Sequence, residues 1–247
     1  MTIKQILNKH KRIALQFSGG KDSLACLLLL QDQLEKITVY WLNAGDGFPE
    51  NQEVIEKAKE IIPNFVEVKS SVADVIIGHG IPSDLISYGA TIHAHALNGS
   101  NAPLMQDRIA CCFRSIMQPM HQRMIQDGIT LIIRGQKKQD EHKGALVSGS
   151  IVDGIEFLYP IEDWTLTEVL EFINKHGYQT QRYYKEGMTH APECMTCTAW
   201  WDDGHGKYLA KNYPEKHKIY REKLKVIESS IAVTMQNLNR ELYEQYV

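Results

Sequence analysis

Ser18-Gly19-Gly20-Lys21-Asp22-Ser23 decides how the rest of this chain is read. The apolar run Arg12-Ile13-Ala14-Leu15-Gln16-Phe17 precedes it. Leu24-Ala25-Cys26-Leu27-Leu28-Leu29-Leu30, unbranched and helix-favouring, follows. The order is therefore strand, glycine-rich turn, helix. Paired glycines let the backbone turn sharply and leave N–H groups uncovered. The first turn of the helix adds its unpaired N–H groups and the positive end of its dipole. An assembly of this kind binds phosphate. Lys21 adds a mobile point charge, and Ser18 and Ser23 add hydroxyl donors. Asp22 is unusual in an anion site and has two readings: a divalent cation accompanies the phosphates, or the carboxylate caps a turn.

Outward from this loop the chain repeats one rhythm. A second strand, Ile37-Thr38-Val39-Tyr40-Trp41-Leu42, ends in the loop Asn43 to Glu50. Val54, Ile55, Ala58, Ile61 and Ile62 recur at helical spacing in residues 51–62. A third strand, Phe65-Val66-Glu67-Val68, leads to a helix over residues 72–77. Strands alternating with helices predict an α/β fold, a doubly wound and mainly parallel sheet. Ligands of such sheets lie off the carboxyl ends of the strands. That places the Ser18–Ser23 loop and the Asn43–Glu50 loop at one site, with Asn43 a candidate nucleotide ligand. Asp46 has two equal readings there, turn cap or a magnesium ligand or base.

Residues 111–126 read as a helix, and Ile129 to Arg134 as a buried strand. The stretch Gly135 to Lys143 follows at that strand's carboxyl end, basic and suited to close over an anion. Arg134 and Gly135 join the candidate nucleotide ligands, and Lys137 and Lys138 join Lys21 and Asp46 as candidate catalytic groups. After the strand Glu156-Phe157-Leu158-Tyr159, Thr165 and Glu168 form a capping-box pattern. Beyond residue 178 the character changes to a cysteine-bearing segment, a helix from about Pro214 to Ile227 and a last helix to Tyr246. The expected division is a nucleotide-binding α/β domain over residues 1–178 and a helical C-terminal extension over 179–247, packed on it.

Bulk properties narrow the classes. A chain of 247 residues with 43% hydrophobic and 23% charged content has the composition of a soluble globule. Its net charge of −3 argues against a strongly electrostatic nucleic-acid binder. The start, Met1-Thr2-Ile3-Lys4-Gln5-Ile6, has no signal-peptide core, and no apolar run approaches membrane-spanning length. These features predict a cytoplasmic protein with no membrane partner. There its five cysteines are thiols or metal ligands before they are disulfides.

Four of the cysteines fall in two groups, Cys111-Cys112 and Cys194-Met195-Thr196-Cys197. Four thiolates suit tetrahedral zinc or one [4Fe–4S] cluster. Adjacent cysteines chelate a single ion awkwardly, whereas a cube spaces its ligand sites apart, which favours the cluster and leaves zinc as the alternative. Cys26 reads as core. His93 and His95 are placed on one face of a strand, more often solvated or hydrogen-bonded than metal-bound. Trp200-Trp201 packs against the cysteine centre or stacks on a base.

The string Ser-Gly-Gly-Lys-Asp-Ser resembles the PP-loop of the ATP-pyrophosphatase superfamily, whose members bind ATP or an adenylyl sulfate there. Over roughly residues 12–200 the chain resembles the adenylyl-sulfate and phosphoadenylyl-sulfate reductase family. Gly47-Phe48-Pro49-Glu50, Arg134-Gly135 through Lys143, and Pro160-Ile161-Glu162-Asp163-Trp164-Thr165 look like its segments. The paired cysteines, a gap of 82 positions from 112 to 194, and a Cys-x-x-Cys match its [4Fe–4S] members. The resemblance implies an adenine nucleotide alpha-hydrolase-like fold, Mg²⁺ with ATP or adenylyl sulfate, and Cys111, Cys112, Cys194 and Cys197 as cluster ligands.

Two departures accompany it. The family's reductases attack with a cysteine near the C-terminus, and no cysteine follows Cys197 in this sequence. The basic pair expected after Cys-Cys is also altered: Arg114 stands one place early, and Ser115-Ile116 replace Arg-Lys. The first function expected is ATP-dependent adenylation and sulfur transfer, like relatives that thiolate nucleic acid. Its partners would be a sulfur donor or thiol-carrier protein, and a nucleic-acid substrate reached through them. A sulfonucleotide reductase releasing sulfite with an external thiol is the alternative, and a non-enzymatic nucleotide- or redox-sensing module a third. A homo-oligomer is compatible with all three.

Overall fold

Alternate residues of the central strands divide between two apolar clusters, and that division makes a sheet with two buried faces. The computed structural model of the chain describes residues 2–140, 144–199, 201 and 204–244. It contains two compact units, one of residues Met1–Ser70 and Gln118–Glu186, the other of Ser71–Met117 and Gly187–Val247. The first unit opens with helix α1 (Ile3–Leu7), strand β1 (Ile13–Gln16), α2 (Lys21–Leu29), β2 (Ile37–Asn43), α3 (Pro49–Lys59) and β3 (Phe65–Lys69). The second unit begins with α4 (Val72–His79), β4 (Ile81–Pro82), α5 (Ile92–Asn98), β5 (Met105–Gln106), α6 (Arg108–Cys112) and a π-helical turn, Phe113–Met117. The first resumes with α7 (Gln118–Gln126), β6 (Leu131–Ile133), β7 (Ile151–Val152), β8 (Ile155–Leu158), α8 (Leu166–Lys175) and α9 (Arg182–Lys185). The second closes with α10 (His205–Asn212) and α11 (Pro214–Tyr243).

The main sheet runs β3-β2-β1-β6-β8-β7. Its pairings are parallel except β7 with β8. Ile13 of β1 faces Ile37 on one side and Leu131 on the other. Strand order reverses at β1 and β6, so the loops after these two strands flank the switch point where doubly wound sheets take ligands. Ile13, Leu15, Val39, Leu131 and Ile133 pack on one face with Leu24 and Leu27 of α2 and Ile173 of α8. Ala14, Tyr40, Ile132 and Phe157 pack on the other with Met120 and Met124 of α7. Period-two side-chain direction explains the split. The α/β fold class read from the sequence is the one observed.

The capping box also forms. Glu168 N–H donates to Thr165 Oγ1 at 3.2 Å, and Thr165 N–H donates to Glu168 Oε2 at 2.6 Å. Both side chains are exposed, so Thr165→Ala removes the cap and little else. The expected cost is about 1 kcal/mol, read as a lower urea midpoint at unchanged slope.

Three local expectations change. His93 and His95 lie on α5, not on a strand. Thr91 Oγ1 accepts the Ala94 N–H at 3.2 Å and starts that helix; residues two apart on a helix turn by about 200°, so the two imidazoles do not share a face. The helix expected over residues 111–126 carries the π turn, where Ser115 Oγ donates to the Cys111 carbonyl at 2.7 Å and competes with the backbone ladder. The two closing helices are one helix of 30 residues, since no glycine or proline interrupts it after Pro214. Among the described residues, no helix is long and apolar enough to cross a membrane.

Candidate functional site

The loop after β1 is held by its own serines. Ser23 is buried; its hydroxyl accepts the Ser18 N–H at 3.3 Å and donates to the Gly20 carbonyl at 3.0 Å. Gly20 N–H donates to Ser18 Oγ at 3.3 Å. The two hydroxyls therefore shape the loop, a role beyond the donors the sequence suggests. The first intrahelical bond of α2 runs from Leu24 N–H to the Gly20 carbonyl, so the N–H groups of Lys21, Asp22 and Ser23 precede the ladder. Gly19 has φ +77°, and a Cβ there would lie 2.7 Å from the Asn51 carbonyl oxygen. Only glycine fits that close approach.

Asp22 meets lysines, which neither sequence reading foresaw. Lys21 Nζ donates to its Oδ2 at 2.8 Å, and Lys137 Nζ to its Oδ1 at 2.6 Å. Lys137 is 5% exposed and also contacts Asp140 Oδ1 at 2.8 Å. Lys21 and Lys137 carry two positive charges and Asp22 and Asp140 two negative ones. Arg134 adds a further cation, half-buried, with its guanidinium 5.5 Å from the Phe157 ring centroid. Burial lowers the Arg134 pKa, opposed by a hydrogen bond to Tyr159. Its Nε is buried and without a hydrogen-bond partner among the described residues. Such an orphan donor is costly unless a ligand meets it.

Gly135 brings the two loops together. A Cβ on it would lie 2.5 Å from the carbonyl carbon and oxygen of Asp22. The next residues then diverge: Lys137 turns inward to Asp22, whereas Lys138 is exposed and pairs with Asp163 at 2.6 Å. The structure thus separates two lysines that the sequence grouped. Asn43 is held by its own loop and the neighbouring strand, accepting the Gly45 N–H at 3.0 Å and donating to Glu67 Oε1 of β3 at 2.9 Å. Asp46 is half-buried in the same loop. Residues 141–143 of the basic loop lie outside the described residues.

Sequence reasoning missed the segment 181–184. Gln181 donates to the Gly19 carbonyl, and Tyr183 Oη donates to Asn51 Oδ1 at 2.6 Å. Lys21 Nζ sits 4.8 Å from the Tyr184 ring centroid and 3.5 Å from its hydroxyl. Burial pulls the Lys21 pKa down, but Tyr184 and Asp22 more than offset it, so Lys21 lies above the ordinary lysine value. It is an ammonium throughout the neutral range. No local pattern marks this segment; the signal is tertiary.

All four paired cysteines belong to the second unit, and all are free thiols. Cys111 and Cys194 are buried; Cys112 and Cys197 are half-buried. Burial pushes the Cys112 thiol up to about 12, with Cys197 and Cys111 within electrostatic range adding to the shift. Among the described residues, no three His, Cys, Asp or Glu groups converge to hold one metal ion. Zinc needs four donors at about 2.3 Å from one point, while a [4Fe–4S] cube accepts thiolates that stay apart. The four thiols lie in one unit, a donor set of the chemistry that either group takes.

Comparison with known proteins gives this geometry its family. Residues 12–200 match the phosphoadenosine phosphosulfate reductase domain. The chain belongs to that family. The Ser18–Ser23 loop lies within the matched residues. A crystal structure of phosphoadenylyl-sulfate reductase from Candida auris, a phosphate complex, has a similar fold at 14% identity and a TM-score of 0.51. The similarity covers 73% of this chain and 80% of that one. The chain is also 26% identical over 176 residues to an argininosuccinate synthase from Rubrobacter xylanophilus. That match covers 68% of this chain and spans 39% of the length of the relative.

Proposed function

We propose that this chain binds ATP on the Ser18–Ser23 loop and transfers its adenylyl group to an acceptor, the activating half of a sulfur-transfer reaction. The observation that carries this reading is the pair of ammoniums, Lys21 and Lys137, sharing the Asp22 carboxylate at the first turn of α2. The four charges cancel among themselves, and Arg134 leaves about one positive charge. A triphosphate carries more negative charge than that offsets, so the nucleotide arrives with Mg²⁺ as counter-ion. The first-turn N–H groups of α2 and Lys21 hold the phosphates. An acceptor oxygen attacks the α-phosphorus, the bond to pyrophosphate breaks, and the electron pair leaves with pyrophosphate. Lys137 and Arg134 offset the charge that develops. The acceptor proton goes to solvent or to a carboxylate, for which Asp46 is the candidate.

Cys111, Cys112, Cys194 and Cys197 would hold the [4Fe–4S] cluster, with zinc the alternative. When bound, a cluster supplies iron that takes up electrons or a sulfur ligand.

The second reading is a sulfonucleotide reductase that releases sulfite with an external thiol. The name of the domain matched over residues 12–200 favours it. One assay separates the two. The anaerobically purified chain is given ATP, adenylyl sulfate or phosphoadenylyl sulfate, each with Mg²⁺, a reduced thiol carrier and a nucleic-acid acceptor. Pyrophosphate from ATP without sulfite is the expected result. Sulfite from either sulfonucleotide overturns the adenylation reading.

A further inference from the structure

The Cys194-Met195-Thr196-Cys197 turn is pinned along its length. Cys197 N–H donates to the Cys194 carbonyl at 3.2 Å. His205 Nε2 lies 2.7 Å from the Met195 carbonyl, which makes Nε2 the protonated nitrogen, since a carbonyl only accepts. Thr198 Oγ1 donates to the Pro82 carbonyl at 2.5 Å, and Trp201 Nε1 donates to the Thr198 carbonyl. A further contact comes from the long helix. Lys223 Nζ donates to Thr196 Oγ1 at 2.7 Å and to the Thr196 carbonyl at 3.1 Å.

Lys223 differs from the other partners in bringing a full charge. It is half-buried on α11, and Thr196 is buried. Thr196 lies between Cys194 and Cys197, so the ammonium stands at the middle of the Cys-x-x-Cys turn. Arg114, two residues after Cys112, directs Nη1 to Gln106 Oε1 at 2.8 Å.

We propose that Lys223 is a positioning residue of the cysteine centre: its ammonium fixes the Cys-x-x-Cys turn through Thr196 and sets a positive charge at that turn. The proposal rests on the reading of Cys111, Cys112, Cys194 and Cys197 as a metal-binding set. Four thiolates around either a [4Fe–4S] cluster or zinc leave the centre anionic. A nearby ammonium stabilises that charge, and a hydrogen-bonded turn holds its ligands in place between metal encounters. In an iron centre the same charge favours the reduced, more negative state.

The test compares wild type, Lys223→Met, Lys223→Arg and Thr196→Val, all purified without oxygen. Iron, acid-labile sulfide and zinc are measured first, and metal loss to excess chelator is then timed. Lys223→Met keeps the stem and removes the charge; it is expected to lose metal about tenfold faster or more, and Lys223→Arg to stay near wild type. Thr196→Val keeps the lysine and removes its hydroxyl acceptor, and an intermediate rate is expected. If iron is present, the midpoint potential of Lys223→Met moves negative and that of Lys223→Arg does not. A wild-type loss rate in Lys223→Met overturns the proposal whichever metal is bound. Should Lys223→Met fail to fold, a wild-type rate in Thr196→Val overturns it. A wild-type chain that takes neither iron nor zinc overturns the metal reading and the proposal with it.

Discussion

Gly135→Ala is expected to abolish nucleotide binding. The added Cβ would stand 2.5 Å from the carbonyl group of Asp22 and 2.7 Å from the Ser23 nitrogen. These are backbone atoms at the start of α2, and no side-chain rotation relieves them. Either the Ser18–Ser23 loop or the strand end must move. Overpacking of this kind costs about 1–3 kcal/mol, against a gain of about 0.4–1 kcal/mol from the stiffer unfolded chain. Net destabilisation wins, and the loop geometry is lost with it. Gly78→Ala on α4 is the control, because nothing lies within 4 Å of its Cβ position. Equilibrium binding of a fluorescent ATP analogue and a urea titration read both effects. Wild-type binding in Gly135→Ala would show that the close approach of the two loops has no part in the site.

Lys137→Met is the second large effect expected. Asp22 and Asp140 lose the cation they share, and two carboxylates are left close together. Breaking a fully buried pair costs about 3–5 kcal/mol. Asp22 is 21% exposed and Asp140 35%, so water screens part of this; a loss of about 1–3 kcal/mol follows. Pyrophosphate release should fall further than stability does, by about 10²–10³ in kcat. Lys138→Met, next in sequence and exposed, should stay within about 0.5 kcal/mol of wild type with turnover retained. Equal losses of turnover in the two variants would refute the inward role given to Lys137.

Much of this was legible in the chain. Six residues in a strand–turn–helix context marked the loop because backbone geometry there depends on local residue types. The parallel sheet is legible because buried strands are near-continuous apolar runs, as Val39 to Leu42 and Leu131 to Ile133 are. Thr165 and Glu168 lie within one turn, so their cap was readable too. What was hidden depends on the path of the chain in space. Lys137 and Lys138 are chemically alike, and only the turn after Gly135 sends one inward. Tyr184 and Gln181 reach the loop from more than 160 positions away. Asp22 looks unusual in the sequence because Lys137 reaches it only in the folded unit. Thr91 hid a helix start in a stretch rich in turn residues.

Timing gives the discontinuous second unit a consequence of its own. Its early stretch, Ser71–Met117, carries Cys111 and Cys112, and its late stretch, Gly187–Val247, carries Cys194 and Cys197. A ribosome adds about 5–20 residues per second. The gap from residue 112 to residue 194 is 82 positions, so the first thiol pair waits about 4–16 s for the second. During that interval the nascent chain presents two adjacent thiols that any oxidant or stray metal ion can reach. Cells short of reducing power would therefore harm this protein most while it is being made.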